Sequence, residues 1–220
     1  MSLRSAQIGH LYNFSLYVQV DIERQYRKKD SMNARNIQII DAAMRVFSQY
    51  GYAKSTMNDI AREAGVARQT LYNAYDGKED VLRAALRKNL ETTQNQIADR
   101  WANAEDFGEK LDVFFELGPI TWFDMMASSP HFAEMMEGLQ KTSKEELDAF
   151  GADMVRAIAD QLAPFADKIT QQGQTAEALA DYIFSSAANA KYNATDRDAM
   201  LQRLSVLKLS VQALLGERTR

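Results

Sequence analysis

The sequence predicts an all-α fold: a small three-helix unit built around a helix-turn-helix, followed by a larger helical domain. Three observations predict it. Apolar residues recur at three-to-four spacing through most of the 220 residues, the period of helices with one buried face. Helix breakers are sparse, with 3 prolines and 10 glycines, and strand-like alternation is confined to YVQVDI at residues 17–22. The stretch TMNDIAREAGVARQTLYNAY, residues 56–75, reads as a short helix, a tight turn at Gly65 and a second short helix.

Residues 1–31 form an amino-terminal extension. MSL looks like an expression leader, and Met32 offers a later start. The basic cluster RQYRKK lies between them; in a native segment, Arg24, Arg27, Lys28 and Lys29 would reach a groove or phosphates as an arm does, and otherwise they are a leader or a solvated lead-in. The first helix is expected over Asn33–Tyr50, with Ile37, Ile40, Met44 and Phe47 at helical spacing and Gly51 ending it. After residues 56–75, a long helix is expected from Lys78 to about Trp101, with Val81, Leu82, Ala85, Leu86 and Leu90 on one face. It joins the first unit, residues 33–93, to the second, residues 94–220. There, Lys110–Leu117 reads as a helix stopped by Gly118-Pro119. TWFDMMASS and PHFAEMMEGLQ read as two short helices split at Ser128-Ser129-Pro130. Thr142–Leu162 ends before Pro164. Thr175–Lys191 and Asp196–Leu215 close the chain, with Gly216 past the last.

Within residues 56–75, Ile60, Ala61, Ala64, Val66 and Leu71 fall where two crossed helices touch. Gly65 leaves the first helix, where a left-handed conformation is needed and glycine adopts it cheaply. The exposed face of the second helix carries Arg68, Gln69, Thr70, Tyr72 and Asn73, all hydrogen-bonding and none acidic. Arginine can bond guanine, and glutamine or asparagine can bond adenine, in the major groove. A helix-turn-helix that places its second helix in that groove is built this way.

The flanks, IIDAAMRVFSQYGYAKST before and DGKEDVLRAALRKNL after, extend the pattern. Together these residues resemble the amino-terminal domain of the TetR (tetracycline-repressor-like) family of transcriptional regulators, over residues 33–93. Three departures stand out: Ala67 where the family often has a capping serine, Ala74-Tyr75 where it often has His-Phe, and Gly77 where it has a serine cap. The resemblance implies double-stranded operator DNA, a homodimer and a small-molecule effector, most often with repression. Thr56 and Lys78 match family positions at helix starts, and with Lys54 they are expected to hold phosphates.

By the same resemblance the carboxy-terminal domain holds an effector pocket. Trp122, Met126, Phe132, Met136, Phe150 and Met154 are its expected walls, because flexible methionines repack around varied apolar guests. Asp124, His131, Glu134 and Thr121 are the polar groups within reach. The last two helices are expected to form a four-helix bundle with a second subunit, through Ile183, Phe184, Leu204, Leu207 and Leu214.

Composition excludes other classes. The absence of cysteine removes disulfides, thiolate chemistry and thiolate metal sites. Histidine occurs only at positions 10 and 131, and no phosphate-cradling glycine motif is present. No catalytic residue, metal or cofactor is therefore expected. No apolar run approaches membrane-spanning length, and a cytoplasmic protein is the natural reading. Residues 1–88 hold 14 Lys/Arg against 9 Asp/Glu, and the remainder holds 12 against 21. That asymmetry suits contact with a polyanion at one end. The alternatives are an activator with the same fold, and a helical adaptor that binds a protein partner.

Overall fold

The computed structural model describes residues 34–217 except 129–130, 134, 137–138, 140–142 and 192–193. The extension, YVQVDI and the RQYRKK cluster thus lie outside the described residues, as do His10 and Glu134. Helix α1, Ala34–Tyr50, buries Ile39, Ile40, Ala42, Ala43, Val46 and Phe47. Helix α2, Met57–Glu63, and helix α3, Arg68–Ala74, form the helix-turn-helix. Helix α4, Lys78–Trp101, is the long connector. Its buried residues Val81 to Leu86 enter one hydrophobic core, whereas Ile97 and Trp101 enter another.

The first core is closed by α1 to α4, but not by them alone. Met135, Met136 and Leu139 are buried in it, and Trp122, Met126, Phe132 and Leu147 pack against it. The two units of the chain therefore share apolar surface. Polar ties fix the first unit further. Lys88 Nζ is 2.6 Å from Asp41, Arg45 Nε is 2.7 Å from Glu63, and Gln38 Nε2 donates to the Ala64 carbonyl at 2.8 Å.

Helix α5, Phe107–Phe115, is capped by the Asp106 carboxylate and by Glu217, which accepts from the Phe107 and Gly108 amides at 3.0 and 3.2 Å. The chain does not stop at Gly118-Pro119. It widens into a π-helical turn over Glu116–Ile120 and continues as α6, Thr121–Ser128. Proline lacks an amide hydrogen and crowds the preceding turn; the wider turn absorbs both effects. The backbone N–H of Thr121 and its hydroxyl, at 2.7 Å, both serve the Glu116 carbonyl. Of the second short helix expected after residue 130, the described residues 131–133, 135–136 and 139 are helical.

Helix α7, Lys144–Gln161, leads into a 3₁₀ turn, Ala163–Phe165, and α8, Ala166–Gln171. Pro164 is more than the terminator expected after Leu162. Here it stands in the first turn of the next helix, where its missing N–H costs nothing. Helices α9, Ala176–Ala190, and α10, Arg197–Leu215, are capped by Thr175 and Asp196. The second core gathers α5, α7, α9, α10 and the end of α4.

Candidate nucleic-acid interface and its supporting surfaces

The turn between α2 and α3 follows directly from its residues. Gly65 has φ 63°, its amide donates to the Arg62 carbonyl, and the Val66 amide donates to Ala61 at 3.0 Å. That pair of bonds is a Schellman closure, and Val66 packs on the first core beside it. Leu71, wholly buried, anchors α3. Helix α3 has no side-chain cap at Ala67, as the sequence predicts. Arg68, Gln69, Tyr72 and Asn73 are exposed and Thr70 is half-buried. Gln69 Nε2 donates to Asn73 Oδ1 at 2.8 Å, so each amide orients the other on the open face.

The three expected phosphate holders differ in how free they are. Thr56 caps α2 in a closed capping box with Asp59: its hydroxyl donates to the Asp59 carboxylate at 2.6 Å and accepts the Asp59 amide. The Thr56 hydroxyl bond, with lesser help from Arg62, holds the Asp59 carboxyl below its usual range. Lys78 is not free for phosphate. Its ammonium donates to the carbonyls of Tyr52, Ala53 and Ser55 at 2.7, 3.1 and 3.2 Å, which uses all three of its protons. It also lies 4.5 Å from the Tyr52 ring centre. The loop bends its carbonyls toward the start of α4, and the lysine answers them. Lys54 is exposed.

The six expected wall residues do not share one cavity. Met154 is buried in the second core and Phe150 packs against it, whereas Trp122, Met126, Phe132 and Met136 belong with the first. Helical spacing marks a buried face but cannot say which of two cores receives it. Instead a groove of about 690 Å³ runs between α4 and α7. Its floor is Ile97, Trp101, Ala157 and Met154, and Asn95, Asp160 and Gln161 stand on its rim.

The expected dimer residues also face inward. Ile183, Leu204 and Leu207 are buried in the subunit's own core, Phe184 stacks on Phe114 at 6.2 Å, and Leu214 packs against the same core. The outward face of α9 and α10 carries Tyr182, Val206 and Leu209, which are 56%, 58% and 48% exposed. On α10, Gln202, Val206, Leu209 and Ala213 form one exposed stripe. Apolar residues at three-to-four spacing give α10 two apolar edges, and the one with Leu204, Leu207 and Val211 is buried in the subunit's own core.

Similarity to known proteins is strongest over the helix-turn-helix. The family model for bacterial regulatory proteins of the tetR family matches residues 39–85, the helix-turn-helix with its flanking helices. This part of the chain is a TetR-family domain. The chain is a DNA-binding transcriptional regulator. Among relatives of this chain, the fatty acid metabolism regulator protein of Bacillus subtilis is 28% identical over 145 residues, covering 65% of this chain and 72% of that one. The regulator TtgR of Pseudomonas putida is 36% identical over 91 residues, 41% of this chain and 42% of that one. The structure of the fatty acid degradation regulator FadR from Bacillus halodurans is 23% identical, with a TM-score of 0.57 over 87% of this chain and all of that one. The structure of FadR from Bacillus subtilis in complex with stearoyl-CoA is 21% identical, with a TM-score of 0.53 over 83% of this chain and 99% of that one. These structures establish the shared all-α fold. No described helix is long and apolar enough to cross a membrane.

Two features of the site have little or no signal in the sequence. One is the Lys78 clamp, whose signal was only a lysine two residues after Asp76. The other is His131, whose ring covers Gly51: a Cβ at Gly51 would lie 3.0 Å from its Nδ1. That contact presses the second domain on the loop between α1 and α2. No local pattern in the sequence announces it.

Proposed function

We propose that the chain is a homodimeric repressor, cytoplasmic and without catalytic activity, that a small molecule releases from a near-palindromic operator. The open, acid-free face of α3 carries this reading. Arg68, Gln69, Thr70, Tyr72 and Asn73 read base edges. Lys54 holds a phosphate, and the amino-terminal turn of α2, with Thr56, lies against the backbone. Lys78 acts as a positioning residue that sets the loop in front of α2. Two subunits pair through the Tyr182, Val206 and Leu209 face, so that two copies of α3 enter successive major grooves.

The effector enters the groove between α4 and α7. Its apolar floor suits an aliphatic or aromatic body, and its rim, where Lys110 and Arg156 stand with Asn95, Asp160 and Gln161, suits a polar end. The similarity to FadR from Bacillus subtilis, whose structure holds stearoyl-CoA, supports an acyl-type effector. A guest here pushes on α4, whose first turns sit in the first core. Operator must weaken effector binding by the same factor that effector weakens operator binding. The test is operator titration across salt concentrations, with and without candidate acyl thioesters. A linear fall of log affinity with log salt that steepens with each phosphate contact is expected. Binding to protein partners without any affinity for duplex DNA would instead favour the adaptor reading.

A further inference from the structure

A second polar cluster lies outside the groove, where α4 meets the start of α7. Arg83 and Arg87, one turn apart on α4, turn toward Glu146 in the first turn of α7. Arg83 Nε is 3.8 Å and Arg87 Nη1 is 3.6 Å from the same carboxylate oxygen, too far for hydrogen bonds. Arg83 also lies 3.5 Å from the largely exposed Glu79. The Nε atoms of both arginines are buried and have no hydrogen-bond partner among the described residues. So has the hydroxyl of Ser143, a residue with no exposed surface, which stands at the amino-terminal cap of the 18-residue α7.

This is unusual on each count. Buried donors are nearly always paired, and an unpaired one calls for a missing partner. The sequence Ser143-Lys144-Glu145-Glu146 is a capping-box pattern, yet the box is not formed: Ser143 has φ −125°, ψ 32°, and its side chain caps nothing. Glu146 is instead drawn toward the arginines. The helix start keeps its positive end, two arginine Nε donors are left unanswered beside one loosely held carboxylate, and the Ser143 hydroxyl at the cap of the same helix is also without a partner.

We propose that Arg83, Arg87 and Ser143 form a binding site for an oxyanion, the phosphoryl or carboxylate group of a ligand, with Glu146 as the internal anion it displaces. Two guanidinium N–H groups and a hydroxyl match the several acceptor oxygens of such a group. The site lies on the part of α4 that belongs to the first core, next to buried Val81, Leu82 and Leu86. Occupation there bears directly on the seat of α3. That consequence rests on the effector reading above; the binding itself does not.

The experiment is isothermal titration of the full-length, DNA-free protein with inorganic phosphate and, separately, with acetate, at matched ionic strength. Saturable binding is expected in the unmodified protein. Glu146→Gln should bind about tenfold more tightly, because a competing like charge has gone from a half-buried site. Ser143→Ala should weaken binding, and Arg83→Gln with Arg87→Gln should abolish it. If the double variant does not fold, Arg87→Gln alone carries that arm. Preference for phosphate assigns a phosphoryl group, and preference for acetate assigns a carboxylate. Absence of saturable binding in both the unmodified protein and Glu146→Gln would overturn the proposal. So would unchanged affinity in the arginine variants, or a Glu146→Gln protein that binds no more tightly. A negative result leaves operator binding, measured on the same preparations, as a separate question.

Discussion

At the residue scale, the freedom of each side chain decides what it can do. Arg68 and Gln69 are open to the solvent and can meet base edges. Replacing either with alanine should relax preference at one or two base pairs by about 1–3 kcal/mol each. Binding-site selection on the two variants checks this, and unchanged preference in both removes the assignment. Lys78 behaves differently, because its protons are committed to three carbonyls. Lys78→Ala should lower the stability of the first unit by about 1–3 kcal/mol. It should leave the salt slope of the folded protein unchanged, whereas a phosphate contact would reduce that slope by about 1. Lys191 offers a pH dependence. Burial pulls its ammonium down to about 8, although the Trp122 ring 4.6 Å away offsets part of the cost. A lysine depressed in the folded state binds its proton better when unfolded. The penalty is thus fully present below about pH 8, and it fades as pH rises toward the free-lysine value of about 10.4. Lys191→Met should therefore be the more stable protein at neutral pH. Its advantage in thermal melts should shrink between pH 8 and 10, and an advantage constant over that range would contradict the account.

At the element scale, caps and turns explain most of what the sequence made legible. Gly65 closes α2 in the left-handed region, and a Cβ there would meet nothing within 4 Å. The cost of Gly65→Ala is then only backbone strain, about 1–2 kcal/mol. Gly65→Asn should cost less, since asparagine visits that region readily. Urea melts of the two variants test the order. Helices α1, α2, α9 and α10 were readable because each has a signal at an end: Gly51, Thr56, Thr175, Asp196 and Gly216. The errors share one cause, which is that a proline has two meanings. Pro119 is absorbed by a π turn whose Glu116 carbonyl finds the Thr121 hydroxyl, and Pro164 opens a helix rather than closing one. Both outcomes depend on neighbours several residues away. The open face of α3 was legible because it is local. The site was illegible where it is tertiary, in the Lys78 clamp, the His131 contact and the division of the Met-rich segment between two cores.

At the scale of the whole molecule, α6 links α9 and α10 to the DNA-binding unit. Lys191, at the end of α9, lies over Trp122, and Arg197, at the start of α10, pairs with Asp124 at 2.9 Å. Trp122 and Met126 pack in turn on the first core. The proposed pairing helices and the core that seats α3 are thus in continuous contact. The outward stripe of α10 provides the sharpest test of the pairing face. Val206 and Leu209 are about half exposed in the isolated subunit, so a charge there should leave its fold intact. In a dimer the same charge would be buried without a partner, which is strongly unfavourable. Leu209→Asp should therefore sediment as a monomer and melt near the unmodified subunit. Its operator affinity should fall by about 100-fold or more, because one helix-turn-helix makes half of the phosphate and base contacts. Leu207→Asp is the control, since Leu207 is only 7% exposed and belongs to the second core. It should lose the fold itself. Analytical ultracentrifugation with circular dichroism separates the two outcomes. A Leu209→Asp protein that stays dimeric, or a monomer that keeps operator affinity, would place the pairing surface elsewhere.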